Sequence, residues 1–490
     1  AWAFPPLRVC VAPSGSVVSA SLLPPLPPLP PAAPGAAAGA TGAGDVVIGA
    51  DWPGGGAGGP VGVLWPLSRR AAVSYTHFVS SLLVLFAAAH DAGLLTPPRA
   101  RLPGADAGAD GWARARGLAV VVDPRGYARP GVPASGLQPR FAQLVRALFG
   151  RVDFIRAPAV TAVGGAPLCT RLPSLVYGGG ALGMGNVWDY FADGTRARRW
   201  RARELVPLFQ SLAFERFAVP PIGASADAAD AAALAALRLL DGRTADGGGE
   251  VGVDGSVGGG VGPLKLVLIE QRAGARARIA NVAELVAVVR TLAAETRAFR
   301  LEGRVLSLRA LPVKDVPRVL AAAAALVGVE GSALANAVFL KPGGALLSVK
   351  PYPLCDSDGF TADASQFLAD GSDGRRAPHA GNQMFGLYGT FEKLALACAQ
   401  PLHLLPICAP REAVEFAFER TGPTALALRH GRTDARGLPL LDHAAYASPS
   451  LLMRHAWYAR SVARVHVATA AFRAALHALH TLWVAERLLE

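Results

Sequence analysis

Arginine side chains and an asparagine follow a hydrophobic segment near the middle of this chain. Residues 264–269 form an apolar run typical of a buried strand in a parallel sheet. The residues after it include Arg272, Arg276, Arg278 and Asn281. Guanidinium groups can bind a diphosphate bidentately, and Asn281 is placed to begin a helix whose N-terminal amides add positive potential. We therefore predict an anion site at the carboxyl end of this strand.

A tight turn further along the chain is predicted to contribute to the same site. A second apolar strand, at 326–329, is followed by Glu330, Gly331 and Ser332. Gly331 and Ser332 are small enough for the backbone to approach a ligand closely, and Ser332 can cap the next helix so that its N–H groups face the same crevice. The alternative is a surface arginine cluster beside an ordinary strand–helix turn. The strand and helix order on both sides favours the site.

The elements that must position these residues alternate regularly between 263 and 410. We predict strands at 264–269, 305–308, 326–329, 345–349 and 402–407, and helices at 282–294, 316–325 and 332–339. Repeated strand–helix–strand units predict an α/β fold with a doubly wound parallel sheet, whose ligands bind at the carboxyl ends of the strands.

These motifs resemble glycosyltransferase family 61, which includes the EGF-domain-specific O-GlcNAc transferase and plant xylosyl- and arabinosyltransferases. The resemblance rests on an arginine segment, a glycine-rich turn and an upstream helix. The residues that carry it are Arg272, Arg278, Ile279, Asn281, Glu284 and Leu285, then Gly328, Gly331, Leu334, Asn336, Phe339, Leu340, Pro342 and Gly343, and Tyr75, Thr76, His77 and Phe78.

The resemblance implies a GT-B-like architecture of two Rossmann-like domains facing a cleft. It implies inverting, metal-independent transfer of a hexosyl or pentosyl group. The expected donor is a nucleotide sugar, in the first place a UDP-linked one, and the expected acceptor is a hydroxyl of a glycan or a protein. No cofactor is expected. Donor-binding residues would be Arg272, Arg278, Asn281, Glu330, Gly331 and Ser332.

One position departs from the pattern of the resembled family, which has histidine where this chain has Glu330. A carboxylate beside a diphosphate is unfavourable unless a hydroxyl or a cation faces it. Glu330 could bind a ribose, pair with Arg272 or Arg278, or mark a lineage with altered or lost activity. The sequence leaves these three open.

An inverting transferase needs a base that deprotonates the acceptor hydroxyl. His77 is the first candidate, because it is a titratable residue in the first domain, and Asp189 is the second. The acidic residue expected after the His77 helix is not evident, since Ser80 and Ser81 stand there. A purely structural role for His77 is the alternative.

Composition divides the chain into five regions. Residues 1–60 are rich in Pro, Gly and Ala and are predicted to form an extended tail or stem. Residues 61–220 are predicted to form an acceptor-side α/β domain, 221–262 an Ala/Gly-rich linker, 263–410 the nucleotide-sugar-binding domain and 411–490 a helical segment.

Charge and cysteine content limit the partners. The net charge of +12 allows polyanionic ligands, but no nucleic-acid-binding signature accompanies it. The five cysteines form no metal-binding pair motif, and Cys398 and Cys408 could bridge a short strand–loop unit, a pairing that the sequence leaves open. The family resemblance, together with a possible stem at 1–60, implies a type II protein of the Golgi or endoplasmic reticulum lumen, with membrane contact only through an anchor absent from this chain.

Other patterns favour competing functions. Residues 178–183 match the dinucleotide motif GxGxxG, which would make the protein an oxidoreductase, but an isolated match is a weak signal in a chain with 55 glycines. Residues 356–358 match a metal-binding DxD, and 196–203 carry an arginine run; both are typical of solvated segments. A catalytically inactive binding protein that keeps the fold is the second alternative.

Overall fold

The computed structural model describes the parts of the chain that carry its helices and strands. These are residues 7–11, 17–22, 45–47, 61–65, 75–91, 118–122, 138–150, 152–156, 168–172, 175–177, 196–219, 225–244, 262–271, 277–296, 298–351, 402–416 and 462–489, with single residues at 95, 97, 112, 391, 394, 395 and 398. The chain divides into two compact units, 1–187 and 188–490.

The first unit contains a parallel sheet flanked by helices. Its strands are β4 (Val61–Trp65), β5 (Leu118–Val122), β6 (Val152–Arg156) and β8 (Leu175–Tyr177), in the order β6-β5-β4-β8 and all parallel. Helix α1 (Tyr75–Asp91) follows β4, and α2 (Pro139–Phe149) follows β5. Most described side chains of α1 are buried, including Phe78, Leu82 and Phe86, so this helix is part of the core of its unit.

A second sheet of the first unit includes part of the N-terminal region. Strands β1 (Leu7–Val11), β2 (Val17–Leu22), β3 (Asp45–Val47) and β7 (Leu168–Leu172) run in the order β2-β1-β7-β3. The first three of these strands lie within residues 1–60, where composition predicts an extended tail. Strand pairing with β7 therefore gives parts of this region a structure that low complexity does not indicate.

The second unit is built on a six-stranded parallel sheet. Its strands are β9 (Leu264–Glu270), β11 (Arg300–Leu306), β12 (Ala323–Val329), β13 (Ala345–Pro351), β14 (His403–Leu404) and β15 (Ile407–Ala409). The order is β11-β9-β12-β13-β14, with β15 also pairing β13. All pairings are parallel, which confirms the predicted α/β class with a parallel central sheet.

Helices cover this sheet. They are α3 (Arg196–Arg216), α4 (Ala226–Thr244), α5 (Val282–Glu295) and α6 (Asp315–Ala322), together with the 3-10 helix η1 (Ser332–Phe339). Gln210 of α3 donates hydrogen bonds to the carbonyls of Val338 and Leu340, at 3.0 and 3.2 Å. Helix α3 therefore belongs with the second unit, whereas the sequence places residues 61–220 in the first domain.

The C-terminal segment, predicted to be mostly helical, also contains two short strands. A short 3-10 turn, η2 (Arg411–Ala413), leads into β16 (Val414–Phe416), and β17 (Val462–Val465) precedes the helix α7 (Thr469–Leu489). With β10 (Arg278–Ile279) they form a small sheet in the order β10-β17-β16. The helical prediction for 411–490 is thus corrected at β16 and β17, because strand pairing outweighs the apolar spacing of Val462 and Val465.

Two cysteines of this unit differ in their bonding state. Cys408 is disulfide-bonded, whereas Cys398 is a buried free thiol. Burial raises the pKa of the Cys398 thiol to about 12, and a hydrogen bond with Gln210 opposes that rise. A bridge between Cys398 and Cys408 is therefore excluded.

None of the helices in the described parts of the chain is both long and apolar enough to cross a membrane.

Candidate functional site

The short strand β10 is fixed beside the carboxyl end of β9 by one glutamine. Gln271, the residue after β9, donates from Nε2 to the carbonyl of Ile279 at 2.9 Å and accepts from the Ile279 N–H at 3.1 Å. The Gln271 backbone N–H in turn donates to Leu306 at the end of β11, at 2.7 Å. These bonds hold the segment that carries Arg278 at the edge of the parallel sheet where ligands bind in such folds.

Arg278 lies on a short strand close to the one that leads into the glycine turn. Strand β10 contacts β12, whose last residue is followed by Glu330 and Gly331. Ile279 is buried in the core while Arg278 is partly exposed, so the guanidinium is accessible to a ligand. Among the described residues, no hydrogen bond or ion pair occupies the Arg278 side chain.

Asn281 connects this region to the C-terminal segment. Its Nδ2 donates to the Val467 carbonyl at 2.9 Å, and its Oδ1 accepts from the Val467 N–H at 3.0 Å. Nδ2 also lies 3.0 Å from Glu284 Oε2. Asn281 does begin α5, as predicted, but its side chain makes no capping bond. In this structure its amide holds the backbone before α7.

Replacing Asn281 with alanine should destabilise the second unit. The substitution leaves the N–H and the C=O of Val467 without these partners in a buried setting, which costs about 1–3 kcal/mol per unsatisfied group. Chemical denaturation would measure the loss. Thr291→Ala removes an exposed side-chain bond within α5 and serves as the control, so an Asn281→Ala loss no larger than the control loss would contradict this role.

Glu330 forms a buried ion pair with a lysine on the neighbouring strand. Lys350 Nζ lies 2.7 Å from Glu330 Oε2, and both side chains are 0% exposed. The Glu330 N–H also donates to the Val349 carbonyl at 2.9 Å. Backbone and side chain together therefore bind the first residue after β12 to β13. Lys350 is thus a partner of Glu330 that the sequence did not suggest.

The turn itself is tightly packed. A Cβ added at Gly328 would lie 2.9 Å from Leu334 Cδ2, so a larger residue would push the Leu334 side chain aside. Gly331 occupies the N-cap position of η1, and Ser332 is the first helical residue. Gly331, not Ser332, therefore stands at the cap, and no side chain caps this end of the helix. The first N–H groups of a helix lack intrahelical partners and suit an anion.

Comparison with known proteins adds to this geometry. A sequence model of the family described as Glycosyltransferase 61 matches residues 75–347, more than half of the chain. This chain belongs to glycosyltransferase family 61. Among curated proteins, no sequence matches it. The family segment begins at the first residue of α1 and ends within β13, so it includes Arg278, Asn281 and the glycine turn but not Lys350 or α7.

The structure describes the position of one of the two candidate bases of this family 61 protein. His77 lies on α1, between Tyr75 and Phe78, at a position where only the backbone is described. Burial raises the pKa of Tyr75 well above its usual range, against the opposing effect of Arg140, so the neighbouring phenol stays protonated at neutral pH and does not serve as the base. Asp189 lies outside the described residues. Neither assignment is tested by the structure.

Several sequence predictions for the family 61 chain fall on residues that the structure does not describe. These are Arg272 and Arg276, the GxGxxG match at 178–183 and the DxD match at 356–358. Within the described residues, no three His, Cys, Asp or Glu side chains are grouped to hold a metal ion. Metal independence stays a prediction.

Sequence reasoning missed Gln271 and Lys350. Lys350 did carry a signal, because a lysine at the end of an otherwise apolar strand must find a charged partner if the strand is buried. Gln271 gave none, since its role depends on the pairing of β10, a strand of two residues.

Proposed function

We propose that this protein is an inverting glycosyltransferase that moves a sugar from a UDP-linked donor to a hydroxyl of a glycan or glycoprotein. The observation that carries the proposal is the contact between β10, which carries Arg278, and β12, which leads into the Glu330–Ser332 turn, at the carboxyl edge of a parallel sheet within the family segment. An accessible guanidinium and the first amides of η1 together suit the diphosphate of a nucleotide sugar.

Charge stabilisation at the leaving group is the first chemical task of such a site. When the bond between sugar and diphosphate breaks, negative charge grows on the departing phosphate, and preorganised donors lower the barrier most where charge develops. Arg278 and Arg272 are the proposed donors for this charge. The amide groups at Gly331 and Ser332 are proposed to hold the phosphate in place, which contributes through positioning.

The Glu330–Lys350 pair supports the proposal in a different way. An isolated carboxylate beside a diphosphate would repel it. Because Lys350 lies against Glu330 with no solvent access, the pair has no net charge and fixes the turn. Contact between Glu330 and a ribose stays a prediction.

Deprotonation of the acceptor is the second chemical task. We propose His77 as the base that takes the acceptor proton while the hydroxyl oxygen attacks the anomeric carbon, with Asp189 as the second candidate. A separate α/β unit with its own parallel sheet supports a GT-B-like organisation. The disulfide at Cys408 supports residence in an oxidising compartment such as the Golgi or endoplasmic reticulum lumen.

Ligand-induced stabilisation tests the donor class. We expect UDP or a UDP-sugar to raise the melting temperature in a concentration-dependent way, because a ligand that binds only the folded state stabilises it. NAD should have no effect; stabilisation by NAD alone would favour the oxidoreductase alternative.

Turnover separates an active enzyme from an inactive binding protein. UDP release from UDP-sugars, measured with acceptor glycans present, should be lost in His77→Ala if this base is correct. General base catalysis contributes about 100- to 10,000-fold. Binding without turnover in the wild-type protein would favour the alternative of an inactive binding protein, which was suggested by the glutamate at position 330 in place of the histidine of the family pattern.

A further inference from the structure

A row of charged side chains crosses the small sheet that carries Arg278. In the parallel pairing of β10 with β17, Arg278 is opposite Arg464. In the antiparallel pairing of β17 with β16, Arg464 is opposite Glu415. Neighbouring strands lie about 4.8 Å apart, so the two arginines are adjacent.

Two like charges in such a position are unfavourable without an anion. Like charges directly opposite on neighbouring strands destabilise the pairing. Glu415 Oε2 lies 3.6 Å from Arg464 Nε, and the two side chains are 62% and 49% exposed. An exposed pair of this kind contributes little. Within the described residues nothing neutralises Arg278, so the row carries an excess positive charge.

The backbone around this row is firmly held. Ala277 donates to Val462 at 2.9 Å, Ala280 donates to Val465 at 2.8 Å, and His466 donates to Ala413 at 2.7 Å. Val462 and Val465 are buried in the core. The strand that carries Arg464 is thus anchored on both sides of the arginine, and the position of Arg464 relative to Arg278 is set by strand pairing.

We propose that Arg464 is a second arginine for the donor diphosphate and that it acts with Arg278 as a two-cation clamp. This inference rests on the proposed function and assigns a binding residue from the C-terminal segment, beyond the part of the chain that the family segment covers. Two guanidinium groups on adjacent strands present paired donors to phosphate oxygens. Glu415 competes with the diphosphate for Arg464.

Calorimetric titration of the full chain with UDP tests the clamp. Arg464→Gln should weaken UDP binding by about tenfold or more, since a hydrogen bond to a charged group contributes on this scale. Arg464→Lys keeps the charge and should lose less. Glu415→Gln removes the competitor and should bind UDP at least as tightly as the wild type.

The matched control is Arg473→Gln on α7. Arg473 is 46% exposed and pairs with Glu295, so it resembles Arg464 in exposure and charge but lies outside the row. We expect its UDP affinity to stay within twofold of the wild type. Circular dichroism and melting curves check that each variant folds.

Two failures are distinguishable in this experiment. If the wild type binds neither UDP nor another nucleoside diphosphate, the proposed function and the clamp both fail. If the wild type binds UDP and Arg464→Gln binds it equally well, or Arg473→Gln loses as much affinity, the clamp alone is overturned.

Discussion

Replacing Lys350 with methionine should destabilise the protein by about 3–5 kcal/mol. The substitution puts an unbranched apolar side chain, one atom shorter, in place of the lysine and removes the Lys350 cation from the Glu330 carboxylate in a position that has no solvent access. Removing one partner of a buried ion pair costs far more than the intact pair contributes, because the remaining charge has lost its hydration. Chemical denaturation of the purified variant is the measurement.

The double variant Glu330→Gln with Lys350→Met separates charge from packing. We expect it to be clearly more stable than Lys350→Met alone, because no unpaired charge remains. Arg473→Ala breaks the exposed pair with Glu295 and should cost less than about 1 kcal/mol. If the loss of stability in the double variant equals the sum of the losses in Glu330→Gln and in Lys350→Met measured separately, the two residues are not coupled, and this interpretation is contradicted.

Replacing Arg278 with alanine should give the largest loss of donor binding. If its guanidinium bonds the diphosphate, the loss is about 1.5–3 kcal/mol, or roughly 10- to 100-fold in affinity. Stability should change little, because the Arg278 side chain has no partner among the described residues. Titration with UDP gives the affinity, and a melting curve gives the stability.

Arg290 offers a matched control for this substitution. It is an exposed arginine on α5 of the same unit, so Arg290→Ala changes the net charge equally. We expect Arg290→Ala to bind UDP like the wild type. Equal losses in both variants would mean that overall charge, and not a local bond, attracts the nucleotide, which would remove Arg278 from the site.

Much of the second unit could be predicted from the sequence because its strands are buried on both faces. The apolar run at 264–269 became β9, and the predicted helix at 282–294 matches α5 within a residue. The boundary between α6 and β12 at Ala322–Ala323 was harder to predict from the sequence. A run of alanines suits either a helix or a buried strand, and the prediction extended the helix to 325, where the structure already has β12.

The parts that escaped prediction depend on contacts between distant segments. Strand β10 has two residues, too few for a periodic pattern, and it exists because β17 and Gln271 hold it. The predicted role of Asn281 came from its place before a helix, whereas its amide binds Val467. Such pairings cannot be read from local spacing.

Hydrogen–deuterium exchange with and without UDP tests the central claim, which is that the nucleotide sits at the carboxyl edge of the second unit's sheet. We predict that UDP slows exchange in peptides covering 277–281 and 328–334. A protein that binds UDP yet shows no protection in these peptides, with protection instead around 175–183, would contradict the account.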